Sequence, residues 1–291
     1  MELIKSKIKA ILNFCGIYKS KEIWPKISEK EKQFLIQNVQ IKSSVETIRD
    51  IQNSISNKKI GAYMRFGDGD IFLMLGKDDI LHQSHKKMAK EMRQAIKYRA
   101  SNIHKAFPLN SKLFGYEEGM TANMHLIADV DALKYLAVTQ SFIDFKYIYT
   151  PVALHYLATF NQEACIEFLR FLKNTNPIFV GNKNLKPEVL RKLFSEKHIK
   201  TPETNSYNEI DRIERELLAV LDKNKNVYQV VVIAMGCPGR ILQKRILKKG
   251  FNVYLFDFGS LLDAFNDNNT RLWIDLAGGA NNLKSILNKL D

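Results

Sequence analysis

The chain has 291 residues, 45% hydrophobic and 10% aromatic, which excludes an unfolded polar chain and suffices for one large α/β domain or one domain with a helical addition. Lysine and arginine number 44 against 31 acidic residues, a formal charge of +13, so polyanionic partners are expected: nucleotide phosphates, nucleic acid or an anionic membrane face, with a solvated basic surface as the competing account. Cys15, Cys165 and Cys237 lie far apart without a Cys-x-x-Cys pair, which argues against a disulfide framework or a cysteine zinc site and for a reducing cytoplasm. No apolar run reaches the roughly 20 residues that cross a bilayer.

In chain order, Ile4, Ile8, Ile11, Leu12 and Cys15 recur at helical spacing, with Lys5, Lys7 and Lys9 between them and Gly16 as a stop. The lysines are unlike a signal-peptide core. Such a basic amphipathic helix suits packing on the protein's own body or on a second subunit, with peripheral contact at an anionic membrane face as the minor alternative. Residues 1–42 are expected to form a helical extension and 43–291 the main domain. Ser43 and Glu46 have capping-box spacing ahead of the stripe Val45, Ile48, Ile51 and Ile55. A buried strand is predicted over 59–66, ending in a glycine loop, and a helix over 85–99 on Met88, Met92 and Ile96. The stretch from there through Phe171 is helical in pattern.

Punctuation sharpens towards the C-terminus. Strands are predicted over 177–181, 197–201, 228–235 and 251–256, with helices over 187–194, 207–222 and 240–249 between them. The run Tyr-Gln-Val-Val-Val-Ile-Ala-Met at 228–235 is what a parallel strand covered on both faces requires. This alternation predicts an α/β fold with a mostly parallel, doubly wound sheet.

Three constellations could carry chemistry. In Arg65-Phe66-Gly67-Asp68-Gly69-Asp70 a strand runs into a glycine turn, placing Asp68 and Asp70 at a sheet's carboxyl edge, where open α/β sheets bind ligands. Two such carboxylates can supply oxygen ligands to Mg²⁺ or Mn²⁺, which keeps its other positions for phosphates, and Arg65 can add a phosphate contact. The competing account is an acidic turn whose aspartates only cap backbone N–H groups. Gly236-Cys237-Pro238-Gly239 turns a strand into a helix, a geometry that offers N–H groups to an anion. It lacks the Lys-Ser/Thr of a P-loop, and no motif gives Cys237 a base, so an inert thiol is expected. Phe256-Asp257-Phe258-Gly259 puts Asp257 at another strand end, with Asp263 following; either acid could touch sugar hydroxyls, serve as a general base, or merely cap a helix. His82 and His85 form no zinc cluster and are expected to be exposed or satisfied in the core.

These residues resemble the GT-D fold glycosyltransferase family, whose Arg-Phe-Gly-Asp-Gly-Glu run follows a strand. Lys200-Thr201-Pro202-Glu203-Thr204-Asn205-Ser206-Tyr207, then Val232 to Gly239, then Phe256-Asp257-Phe258-Gly259, are similar to further family elements in the same order. The resemblance implies a Rossmann-like fold and a hexosyltransferase-type enzyme with a UDP-sugar donor. It also implies a glycan or glycoconjugate acceptor, as in surface polysaccharide synthesis, and Mn²⁺ or Mg²⁺ held by Asp68 and Asp70. Arg65, Gly67, Asn205, Gly236 and Gly259 would line the donor site. Asp70 stands where the family has Glu, shortening that carboxylate by one methylene. A metal-dependent phosphodiesterase or nuclease and a non-catalytic nucleotide-binding module are the alternatives. Nucleic acid is the disfavoured partner, because no basic segment is interleaved with aromatic residues.

Overall fold

The computed structural model describes residues 27–116, 127–139, 148–269 and 271–290, together with Ile4, Lys5 and Ile8. Among them eight strands pair in one parallel sheet: β1 Ile41–Lys42, β2 Gly61–Arg65, β3 Ile103–Ala106, β4 Ile148–Tyr149, β5 Ile178–Asn182, β6 His198–Thr201, β7 Gln229–Ala234 and β8 Val253–Asp257. Their spatial order is β1-β4-β3-β2-β8-β7-β5-β6. The central strands are buried on both faces, and successive side chains therefore feed two cores.

Along β7, Val231 and Ile233 enter one core, with Ala62, Met64, Val253 and Leu255. The helices Lys86–Lys97, Ile210–Asp222 and Pro238–Lys248 cover it through Met88, Met92, Ile213, Leu217, Ile241 and Ile246. Val230 and Val232 enter the other, with Tyr63, Tyr254 and Phe256. There the helices Ser44–Ser56, Ala153–Phe160, Gln162–Asn174 and Gly279–Asn288 supply Ile51, Leu157, Phe168 and Leu283. The result is the three-layered α/β sheet that the alternating sequence predicts.

Ser43 and Glu46 form the predicted capping box on Ser44–Ser56, and the predicted C-terminal strands and helices are present, offset at their ends by up to three residues. The stretch read as helical also holds β3 and β4, which short length and the polar His104 and Lys105 conceal. The glycine loop expected after β2 is instead a helix start: Gly67 is the N-cap and Asp68–Met74 the helix. Ile4, Lys5 and Ile8 are helical, whereas Ile11, Leu12, Cys15 and Gly16, on which the amphipathic helix also rests, lie outside the described residues. In 27–42, the helix Glu29–Asn38 buries Leu35 in the first core, and β1 forms an edge of the sheet. No helix among the described residues is long and apolar enough to cross a membrane.

Candidate active site

The carboxyl ends of β2, β8 and β7 lie side by side, and each delivers one element of the site. β2 ends on Arg65, whose Nη1 donates to Pro151 O at 2.9 Å and whose Nε lies 3.5 Å from Asp257 Oδ1 at the end of β8. That Nε is buried without a hydrogen-bond acceptor. The guanidinium lies against Gly259: a Cβ on this residue, which has φ +76°, would come within 2.2 Å of Arg65 Nη1. Glycine is thus required there both for its backbone and for the arginine above it.

Asp68 and Asp70 occupy the first turn of the helix Asp68–Met74 and diverge, because positions two apart do not share a helix face. Asp68 is exposed, its Oδ1 accepting from Gly69 N at 2.8 Å. Asp70 is 1% exposed. Its Oδ2 accepts from Gly67 N at 2.8 Å, and its Oδ1 lies 3.3 Å from Arg240 Nε without forming a hydrogen bond.

Arg240, in the first turn of Pro238–Lys248, explains that misalignment, since its Nε–H points at Arg65 O. Its Nη1 donates to Gly236 O at 2.7 Å and lies 3.1 Å from Asp257 Oδ2. Asp70, Arg240, Asp257 and Arg65 form a buried chain of alternating charge with no net charge. Burial pushes the Asp70 carboxyl up to about 6, although Arg240 and the Gly67 N–H pull it down. Burial opposes the charge on Arg240, but Asp257 and Asp70 outweigh it and hold its pKa above the ordinary value. Removing either member of such a pair would leave an uncompensated buried charge, at a cost of about 3–5 kcal/mol.

At the end of β7, Gly236 has φ +69°, and a Cβ there would come within 2.4 Å of His82 Nε2. His82 is 3% exposed and neither ring nitrogen finds a partner. Burial lowers its pKa, with Asp79 opposing and Arg240 reinforcing the shift, so the ring is neutral. Asn205, in the left-handed region, takes Leu81 O at 2.9 Å with its N–H and accepts from Gln83 N at 2.8 Å, fixing the His82 loop over the turn. Cys237 Sγ donates to Asp79 Oδ2 at 3.1 Å. Burial, with Asp70 adding to it, pushes this thiol well up, which fits the inert cysteine expected.

A sequence model described as Glycosyltransferase GT-D fold matches residues 63–265. The chain belongs to the GT-D fold glycosyltransferase family. Among solved structures, a domain of unknown function 1792 described as having a distinct glycosyltransferase fold is 17% identical, with a TM-score of 0.57 over 80% of this chain and 82% of that one. A selenomethionine-substituted DUF1792 structure is 19% identical, with a TM-score of 0.61 over 80% and 82% of the two chains. A glycosyltransferase (DUF1792) from Streptococcus sanguinis is 14% identical, with a TM-score of 0.58 over 83% and 86%. Comparison with curated proteins gives no match.

In this GT-D chain, Arg65, Gly67, Asp70, Asp257 and Gly259 converge around Arg240 as one unit, while Asn205 and Gly236 meet at the His82 loop. Both oxygens of Asp257 face guanidinium groups, Oδ1 that of Arg65 and Oδ2 that of Arg240, so it holds the two arginines in place. Asp263 pairs with Arg271 at 3.4 Å, its pKa raised by burial against the pull of Arg271. His85 is the N-cap of Lys86–Lys97, its Nδ1 accepting from Met88 N. His82 corrects the expectation of an exposed or satisfied side chain.

The divalent ion that the resemblance implies would find in Asp68 an exposed carboxylate, and such ions are commonly held by one or two carboxylates plus substrate phosphates. It does not fit Asp70 as placed. Among the described residues no group of three or more His, Cys, Asp or Glu is arranged to hold a metal. Sequence reasoning missed Arg240 and the Ser260 cluster, in which Ser260 Oγ accepts from Trp273 Nε1 at 3.0 Å and lies 3.2 Å from His155 Nε2. Arg240 left a trace: Arg240, Gln243 and Lys244, at i, i+3 and i+4, share the buried face of their helix.

Proposed function

We propose that the protein transfers a hexosyl group from a nucleotide-sugar donor, UDP-linked, to a glycan or glycoconjugate acceptor, with Mn²⁺ or Mg²⁺ anchored by Asp68. The observation that carries this is the exposed Asp68 carboxylate at the sheet's carboxyl edge, three residues beyond Arg65, within the family's characteristic run. The ion, when bound, neutralises the charge that develops on the diphosphate leaving group. Arg65 brings a guanidinium to the same edge, fixed by Pro151 O and Asp257 and backed by Gly259, and so contacts a donor phosphate. On this reading the enzyme works in the cytoplasm, and peripheral contact with the inner membrane face through the basic segment around Lys5, Lys7 and Lys9 is the minor alternative.

Isothermal titration of UDP, GDP and CMP in Mn²⁺ and in EDTA tests this. UDP binding that requires Mn²⁺, is lost in Asp68→Asn and is weakened in Arg65→Met is the expected result. Binding that ignores EDTA and Asp68→Asn alike would overturn it.

A further inference from the structure

Asp70 completes the acidic pair of the family's run, yet its surroundings are those of a structural counter-ion. One oxygen takes the Gly67 N–H and the other faces Arg240, with 1% of the residue exposed. Arg240 in turn touches the ends of three strands: it donates to Arg65 O at the end of β2 and to Gly236 O after β7, and it pairs with Asp257 on β8. Asp257 is shared with Arg65. Without the charge on Asp70, two guanidinium groups would compete for one carboxylate, and the pairing that fixes Arg65 would weaken.

We propose that Asp70 is a positioning residue, holding Arg240 and through it Arg65 and Asp257, and that it is not a ligand of the divalent ion, which Asp68 alone anchors. The statement about the ion rests on the metal-dependent function proposed above; the positioning role does not. For Asp70 to reach an ion beside Asp68 it would have to abandon Arg240 and leave a buried cation facing only Asp257. The two aspartates, adjacent in the motif, thus divide its work: one faces the ligand and the other the frame beneath it.

The test compares Asp68→Asn, Asp70→Asn, Arg240→Met and the Asp70→Asn/Arg240→Met double variant by Mn²⁺ titration followed by electron paramagnetic resonance. UDP titration in saturating Mn²⁺ and thermal denaturation complete it. Asp70→Asn should bind Mn²⁺ within about threefold of wild type while its UDP affinity falls about tenfold; Asp68→Asn should lose Mn²⁺ by tenfold or more. A merely structural residue would not separate the two affinities. Each member of the pair, mutated alone, should lower the melting temperature by about 5–10 °C, and the double variant by less than the sum. Should Asp70→Asn not fold, the double variant, with both buried partners removed, reads the Mn²⁺ affinity instead.

Loss of Mn²⁺ affinity on removing Asp70 overturns the proposal, as does unchanged UDP affinity or additive melting shifts. A wild-type protein that binds no Mn²⁺ would refute the metal reading and leave the thermal cycle to decide the positioning role.

Discussion

Gly259→Ala should unseat Arg65, and Gly250 supplies the control. Both glycines have φ +76°, but a Cβ on Gly250 meets nothing within 4 Å, whereas one on Gly259 comes within 2.2 Å of Arg65 Nη1 and 2.4 Å of Nη2. The left-handed backbone alone costs an L-residue about 1–2 kcal/mol, and both variants carry that cost. Only Gly259→Ala also displaces the guanidinium, breaking the Nη1 bond to Pro151 O and moving Nε off Asp257. A hydrogen bond from a charged donor contributes about 1.5–3 kcal/mol. Gly259→Ala should therefore be less stable than Gly250→Ala by about that amount, which is roughly 5 °C in melting temperature for a chain of this size. Urea denaturation of the two variants measures the difference, and UDP titration should show weaker binding for Gly259→Ala only. Equal losses of stability in the two proteins would refute the packing argument.

Arg240→Leu should destabilise the fold by about 3–5 kcal/mol, because Asp70 and Asp257 are left buried without a shared cation; denaturant midpoints give the value. Gly236→Ala should collide with His82, and adding His82→Ala should recover about 1 kcal/mol or more relative to the sum of the single effects, as read from a double-mutant cycle. His104, buried with its Nδ1 2.6 Å from Tyr254 Oη, has its pKa pushed down to about 4 by burial. The unfolded chain then binds the additional proton, so this contribution is present above the ordinary histidine pKa and is lost as pH falls from about 6.5 to about 4, reaching roughly 3 kcal/mol. The difference in stability between wild type and His104→Asn across that range should show this slope, and a flat difference would contradict it.

The central and C-terminal sheet was legible in the sequence because β7 and β8 are covered on both faces and leave continuous apolar runs. β3 and β4 were not, because a four-residue strand with His104 and Lys105 and a two-residue strand carry no periodic signal; Tyr254 and Ile96 O accommodate the polar groups only once the fold has formed. The edge carrying the site was legible from the strand that precedes Arg65. The division between Asp68 and Asp70 was not, since it depends on a helix start at Gly67, where a turn was expected, and on Arg240, 170 positions beyond Asp70 in the chain. His82 was hidden for a similar reason: its partner surface is the bare face of Gly236, and a missing side chain leaves no pattern to read.

The central claim is metal-dependent sugar transfer from a nucleotide-sugar donor through Asp68, and release of nucleoside diphosphate tests it most directly. Purified protein incubated with a panel of UDP-, GDP- and CMP-linked sugars should release UDP in Mn²⁺ and not in EDTA, and folded Asp68→Asn should release none. Equal release by Asp68→Asn, or undiminished release in EDTA, would contradict the account.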